Sequence, residues 1–128
     1  MAKIAVLGAG AWGTALAMHI SHHHQVALWA RNAGHVSGMR KARANPLHLG
    51  DFKFNAQLQV EDNLQLALQD ADLILGVERN PDMEDQAIIR VVLARTAPTG
   101  EVHVKWDWTT MEFEEVSDYD DHINPSFD

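Results

Sequence analysis

The chain has 128 residues, 46% of them hydrophobic and 22% charged, with a formal net charge of -8 and no cysteine. That length holds one domain with a real core, and the absence of cysteine excludes a disulfide framework, a thiol nucleophile and a cysteine-type zinc site. No apolar run approaches the ~18 residues that cross a bilayer, and glycines interrupt the N-terminal apolar stretch, so neither membrane nor export role is expected and the location expected is cytoplasmic.

Lys3 to Leu7 predicts a first strand, which runs directly into Gly8-Ala9-Gly10-Ala11-Trp12-Gly13. This is the G-x-G-x-x-G spacing that, between a strand and a helix, marks a dinucleotide-binding βαβ unit. In it Gly8 permits the tight turn, Gly10 lets the backbone approach a pyrophosphate, and Gly13 lets the helix lie close to the sheet. The helix expected over Ala11 to Ile20 carries Trp12, Ala15, Leu16, His19 and Ile20 at helical spacing. Its N-terminus offers N–H groups and partial positive charge to a diphosphate, so Gly8, Gly10, Ala11, Trp12 and Gly13 are candidate cofactor-binding residues. For Trp12, packing against the cofactor or the phosphate turn and a place in the core are equally open.

After a loop at Ser21 to His24, Gln25 to Ala30 reads as a strand apolar on both faces, as inside a parallel sheet. Arg31 follows it, where an NAD-binding unit normally has an acidic residue for the ribose 2'-hydroxyl. An arginine fork there suits a 2'-phosphate, which tilts the expected cofactor, NADP or NAD, towards NADP. The alternative is a solvated surface arginine. His22-His23-His24 invites a metal reading, but adjacent loop histidines do not converge without further ligands, so a solvated loop is expected.

Val36 to Ala44 predicts a second helix, ended by Asn45-Pro46 because the residue before proline avoids α geometry. Leu47 to Ala56 reads as loop, Gln57 to Val60 as a brief strand, Glu61 to Gln69 as a helix with Leu64, Ala67 and Leu68 inward, and Asp72 to Val77 as a fourth strand. The order βαβαβαβ is that of an α/β fold, a Rossmann-type open parallel sheet with flanking helices.

Beyond Val77 two readings stand. Asn80-Pro81-Asp82 resembles a helix start leading into Ala87 to Arg95, and a parallel sheet needs such a crossover before a strand at Val102 to Trp106. Against this, β-branched Ile88, Ile89, Val91 and Val92 also suit a buried strand, which gives a meander of Ala87 to Ala94, Glu101 to Trp106 and Thr110 to Val116. The crossover requirement favours the helix.

The charge separates the chain into two parts. Residues 1–106 hold ten Lys or Arg and ten Asp or Glu, whereas 107–128 hold eight Asp or Glu and no Lys or Arg. The expected division is a nucleotide-binding body over 1–106, clearest over 1–77, and an acidic C-terminal segment over 107–128, either a β-hairpin or disordered. An acidic end repels a phosphate backbone, so no nucleic-acid partner is expected. Glu114-Glu115 and Asp120-Asp121 read as solvated charge rather than as a cation site.

The stretch Ile4-Ala5-Val6-Leu7-Gly8-Ala9-Gly10-Ala11-Trp12-Gly13-Thr14-Ala15-Leu16-Ala17, with Leu28-Trp29-Ala30-Arg31-Asn32, His35-Val36, Asn45-Pro46 and Asp70-Ala71-Asp72-Leu73-Ile74-Leu75, resembles the N-terminal half of bacterial NAD(P)-dependent glycerol-3-phosphate dehydrogenases. The resemblance is continuous over roughly the first 77 residues. It implies an oxidoreductase's cofactor-binding half, with hydride passing in the complete enzymes between the nicotinamide and glycerol 3-phosphate or dihydroxyacetone phosphate, in the service of phospholipid biosynthesis.

Past Val77 the chain departs from the family pattern. Glu78-Arg79-Asn80 stands where the family has Val-Pro-Ser or similar, and Asp107-Trp108-Thr109-Thr110-Met111-Glu112 replaces a Cys-Lys-Gly-Phe-Glu-like segment, with Thr109 where the lysine falls and Lys105 the nearest lysine. The helical substrate domain with the family's principal catalytic lysine is missing, so no catalytic residue is assigned. Turnover is expected to need a homo-oligomer or a partner chain that supplies a substrate domain. A second reading is a non-catalytic interaction or regulatory module on a nucleotide-binding fold, with Trp106 and Trp108 beside the acidic segment as a contact surface.

Overall fold

The computed structural model describes residues 2–83, 85–94, 100–107 and 112–115. Strand β1 (Lys3–Leu7) leads into α1 (Ala11–Ile20), β2 (Gln25–Trp29) and α2 (Ala33–Ala42). A small pair, β3 (Ala44–Asn45) and β4 (Leu49–Lys53), comes next, then β5 (Leu58–Glu61), α3 (Leu64–Leu68) and β6 (Leu73–Arg79). The chain continues as β7 (Gln86–Ala94), β8 (Gly100–Asp107) and β9 (Glu112–Glu115).

The main sheet has the order β5-β2-β1-β6-β7-β8-β9. Its β5, β2, β1 and β6 are parallel, and β7, β8 and β9 add on antiparallel. The result is a mixed sheet with flanking helices, in which the Rossmann-type half is the parallel part. Reversal of strand order at β1 opens a crevice at the C-terminal ends of β1 and β6, the place where such sheets take ligands.

Two apolar layers follow from strand alternation. Ile4, Val6, Val26, Leu28, Leu58, Val60 and Leu75 form one core with Leu16 and Ala17 of α1 and Val36 and Met39 of α2. The opposite face is thinner: Ala5, Ala71 and Ile74, with Leu7 and Leu68 packed against them. Of the residues at helical spacing in α1, Leu16 is buried and Ile20 packs against the core, whereas Trp12 and Ala15 are half-buried and His19 is exposed; the helix also buries Gly13, Thr14 and Ala17. Its small side chains let the helix backbone approach β1, and Trp12 is turned to a half-buried position outside the core.

The expected helix over Ala87 to Arg95 is corrected: Gln86–Ala94 is a strand, hydrogen-bonded antiparallel to β6 from Leu73↔Ala94 to Arg79↔Ala87. No crossover is needed because the chain turns back at once. In that turn the Asn80 N–H donates to the Gln86 carbonyl at 3.0 Å, and Asn80 Oδ1 accepts from the Asp82 N–H at 3.0 Å. The meander is therefore the arrangement found over β7, β8 and β9, and Glu114-Glu115 lies in its last strand.

Other boundaries shift for local reasons. Helix α2 starts earlier than Val36 because Asn32 caps it, its side chain accepting from the His35 N–H at 2.9 Å, and it ends at Arg43, which adopts a left-handed φ of 52°. The expected loop Leu47 to Ala56 contains β4, paired with β3. Helix α3 is shorter than expected, capped by Asn63; it buries Ala67 but leaves Leu64 41% exposed, so that leucine does not point inward.

Candidate functional site

The turn from β1 to α1 is built by three glycines with three different environments. Gly8 has φ +120°, and a Cβ there would lie 2.9 Å from the Val77 carbonyl oxygen; this backbone suits glycine alone. A Cβ on Gly13 would lie 1.7 Å from the Gly8 carbonyl oxygen, so the helix and the turn are in backbone contact. Around a Cβ on Gly10 there is nothing within 4 Å. Two of the glycines are thus fixed by the protein's own packing, and the middle one faces open space.

Gly10 is the N-cap of α1 and supplies no side-chain cap, and the first turn holds no acidic residue. The first intrahelical bond runs from the Thr14 N–H to the Gly10 carbonyl at 3.0 Å. The Ala11 and Gly13 N–H groups therefore have no acceptor in the preceding turn and point towards the helix's N-terminal end. Positive dipole and unsatisfied donors coincide at the rim of the crevice.

Behind the turn lies Asn45, fully buried between Pro46 and the end of α2. Its Nδ2 donates to the Ala9 carbonyl at 2.9 Å and to Thr14 Oγ1 at 2.8 Å. Its Oδ1 accepts from the Leu47 N–H at 3.2 Å and pairs with His35 Nε2 at 2.9 Å. The Ala9 carbonyl only accepts and the Leu47 N–H only donates, which fixes the amide's orientation and requires His35 to donate from Nε2. Sequence reasoning took Asn45 for a helix terminator; no spacing marks its second role, because Ala9 and Thr14 lie more than thirty residues away in the chain.

A cleft of about 670 Å³ opens beside the turn, lined by Gly10 to Gly13, Ala15, Met18 and His19 of α1, Leu49 and Phe52 of β4, and Val77 to Arg79 of β6. Trp12 lines this cleft. Arg31 is exposed just past the end of β2 and makes no hydrogen bond or ion pair among the described residues. It is close to the turn along the backbone, because the Trp29 carbonyl accepts the Gly8 N–H at 3.0 Å.

The remaining candidates lie elsewhere. His22 and His23 are exposed, and His24 Nδ1 accepts the Ala2 N–H at 3.2 Å; among the described residues no three His, Cys, Asp or Glu gather to hold a metal. Lys105 is exposed on β8, in register with Gln86 and Glu114. With β6 and β7 between β8 and β1, strand spacing sets it about 14 Å across the sheet from β1. Thr109 and Asp120-Asp121 lie outside the described residues.

Residues 3–92 match the family model for the NAD-dependent glycerol-3-phosphate dehydrogenase N-terminus. The chain belongs to this family. It is similar to the glycerol-3-phosphate dehydrogenase [NAD(P)+] of Methylobacillus flagellatus, 59% identical over 75 residues, and to that of Neisseria gonorrhoeae, 50% identical over 76; each match covers 59% of this chain and 23% of the relative. Among solved structures it resembles glycerol-3-phosphate dehydrogenase from Coxiella burnetii, with TM-score 0.57 and 34% identity over 59% of this chain and 23% of that one. A yeast glycerol-3-phosphate dehydrogenase, at TM-score 0.52 and 19% identity, shares the fold. The chain thus spans about a quarter of the length of the relatives it matches. Among the described residues no helix is long and apolar enough to cross a membrane.

Proposed function

We propose that this chain binds NADP(H) or NAD(H) across Gly8 to Gly13, as the cofactor half of a glycerol-3-phosphate dehydrogenase, and that the 128-residue polypeptide alone does not turn over substrate. The observation that carries the reading is Gly10. It is the one glycine of the three whose missing side chain no protein atom requires, and it lies at the N-terminus of a helix whose Ala11 and Gly13 N–H groups have no acceptor in a preceding turn. A diphosphate is the ligand chemistry that uses both features.

The residues fit that group. Gly10 leaves room for phosphate oxygens, Ala11 and Gly13 supply backbone N–H donors, and Trp12 and Val77 in the cleft wall offer apolar surface. Arg31, exposed just past the end of β2, supports a preference for NADP(H), because a guanidinium fork suits a 2'-phosphate. When bound, a nicotinamide supplies the hydride donor or acceptor; the chain's own contribution is to hold it and exclude water from one side.

In complete family enzymes a lysine moves the proton that accompanies hydride transfer, and orienting both reactants supplies much of the rate. Thr109 stands where the family's Cys-Lys-Gly-Phe-Glu-like segment has a lysine, and most of the relatives' length, the part that carries the principal catalytic lysine included, has no counterpart in these 128 residues. The residues that complete the substrate side lie outside these 128. The test is a titration of tryptophan fluorescence with NADPH, followed by an assay with glycerol 3-phosphate. Saturable quenching at micromolar cofactor without turnover is expected. No response at millimolar cofactor overturns the binding assignment, and turnover by the monomeric chain overturns the claim of inactivity.

A further inference from the structure

We infer that Asn45 is a positioning residue which holds the Gly8-to-Gly13 turn in its ligand-accepting shape before any ligand arrives, with His35 fixing the amide's orientation. The inference rests on the reading of that turn as the diphosphate site, and adds to it the part that keeps the turn in place. The ligand side of the turn is unsupported, since nothing lies within 4 Å of a Cβ on Gly10. Support has to come from behind, and Asn45 provides it at both ends of the exposed stretch. One Nδ2 hydrogen holds the Ala9 carbonyl, just before Gly10, and the other holds Thr14 Oγ1, just after Gly13.

All four hydrogen-bonding positions of the Asn45 amide are used, and the residue is completely buried. A buried amide with every donor and acceptor paired has one orientation, and it transmits that orientation to what it holds. The peptide between Ala9 and Gly10 carries on one side the carbonyl that Asn45 grips and on the other the Gly10 N–H. Freeing the carbonyl frees that peptide plane to rotate, and the donors of the turn then lose their common direction. His35 enters because Oδ1 needs donors: its Nε2–H and the Leu47 N–H fill the acceptor side and leave Nδ2 no alternative to Ala9 and Thr14.

Asn55 provides the control. Its Nδ2 donates to Ser21 Oγ at 2.9 Å at the opposite end of α1, so its loss removes a comparable side-chain bond without touching the turn. The experiment measures amide hydrogen exchange in the ligand-free protein at Gly8 and Thr14, whose N–H groups bond the Trp29 and Gly10 carbonyls, with the Ala67 N–H, bonded to the Asn63 carbonyl in α3, as reference, and NADPH affinity for the same variants. Asn45→Asp keeps the shape but turns an oxygen on the Ala9 carbonyl. It is expected to speed exchange at Gly8 and Thr14 about tenfold relative to Ala67 and weaken NADPH about tenfold, as the loss of a buried hydrogen bond to the turn implies. Asn55→Ala should leave both ratios unchanged.

His35→Phe, which leaves the buried amide in place, is expected to reproduce the exchange effect in weaker form, and His35→Gln, which retains an N–H donor, to restore it. These two variants decide the matter if Asn45→Asp does not fold. Exchange ratios in Asn45→Asp or His35→Phe equal to those of Asn55→Ala would overturn the positioning role. Failure of the wild-type chain to bind NADPH would overturn the diphosphate reading instead, while the exchange measurement would still judge whether Asn45 holds the turn.

Discussion

Gly13 and Gly8 are in backbone contact across the turn: a Cβ on Gly13 would fall 1.7 Å from the Gly8 carbonyl oxygen. No rotamer change relieves that overlap, because both groups belong to the main chain. Gly13→Ala is therefore expected to push α1 off β1 and to destabilise the fold by about 3 kcal/mol or more, the range of severe core overpacking. Urea unfolding of the variant measures it. A midpoint equal to that of the wild type would show that helix and turn are further apart than described.

Leu28, fully buried in β2 between β1 and β5, tests the main core. Leu28→Ala should cost about 2–5 kcal/mol, as removal of a large side chain from a packed layer does. A loss below about 1 kcal/mol would mean that this layer is loosely packed.

Arg31→Ala should weaken NADPH about 10- to 100-fold more than NADH, since a charge-assisted contact to phosphate contributes about 1.5–3 kcal/mol and NADH lacks the phosphate. Parallel titrations with the two cofactors measure the ratio. Equal losses would restrict Arg31 to a general role at the end of β2.

The antiparallel pairing of β6 with β7 can be trapped covalently. Val77 and Ile89 are partners in the ladder, and such pairs have Cα atoms about 4.5–5.5 Å apart, within the reach of a disulfide. The chain has no other cysteine, so Val77→Cys combined with Ile89→Cys should give one intramolecular bond on mild oxidation, read as a mass loss of two hydrogens. Two free thiols after oxidation would contradict the register.

The parallel half of the sheet was legible because its strands and helices alternate and glycines mark the first turn. The β7 segment was harder. Ile88, Ile89, Val91 and Val92 form an apolar run that fits a strand or a buried helix equally, and what decides it is the Asn80 turn, where side-chain and backbone bonds return the chain beside β6. Asn32 and Asn63 illustrate a second difficulty: each caps a helix through a bond to the residue three positions on, but Asn32 stands before no obvious apolar stripe and Asn63 lies inside the stretch that reads as helix from Glu61. Of the candidate site, the glycines could be found by spacing, whereas Asn45 could not, because its bonds to Ala9 and Thr14 span more than thirty residues and exist only in the folded chain.

The most direct test of the diphosphate site is the NADPH dissociation constant of Gly10→Val beside that of the wild-type chain, with the melting temperature of each. No protein atom lies within 4 Å of a Cβ at Gly10, so the valine should leave the melting temperature nearly unchanged while filling the space a phosphate needs. The account predicts micromolar binding by the wild type and none detectable by the folded variant. Equal affinity in the two proteins would contradict it.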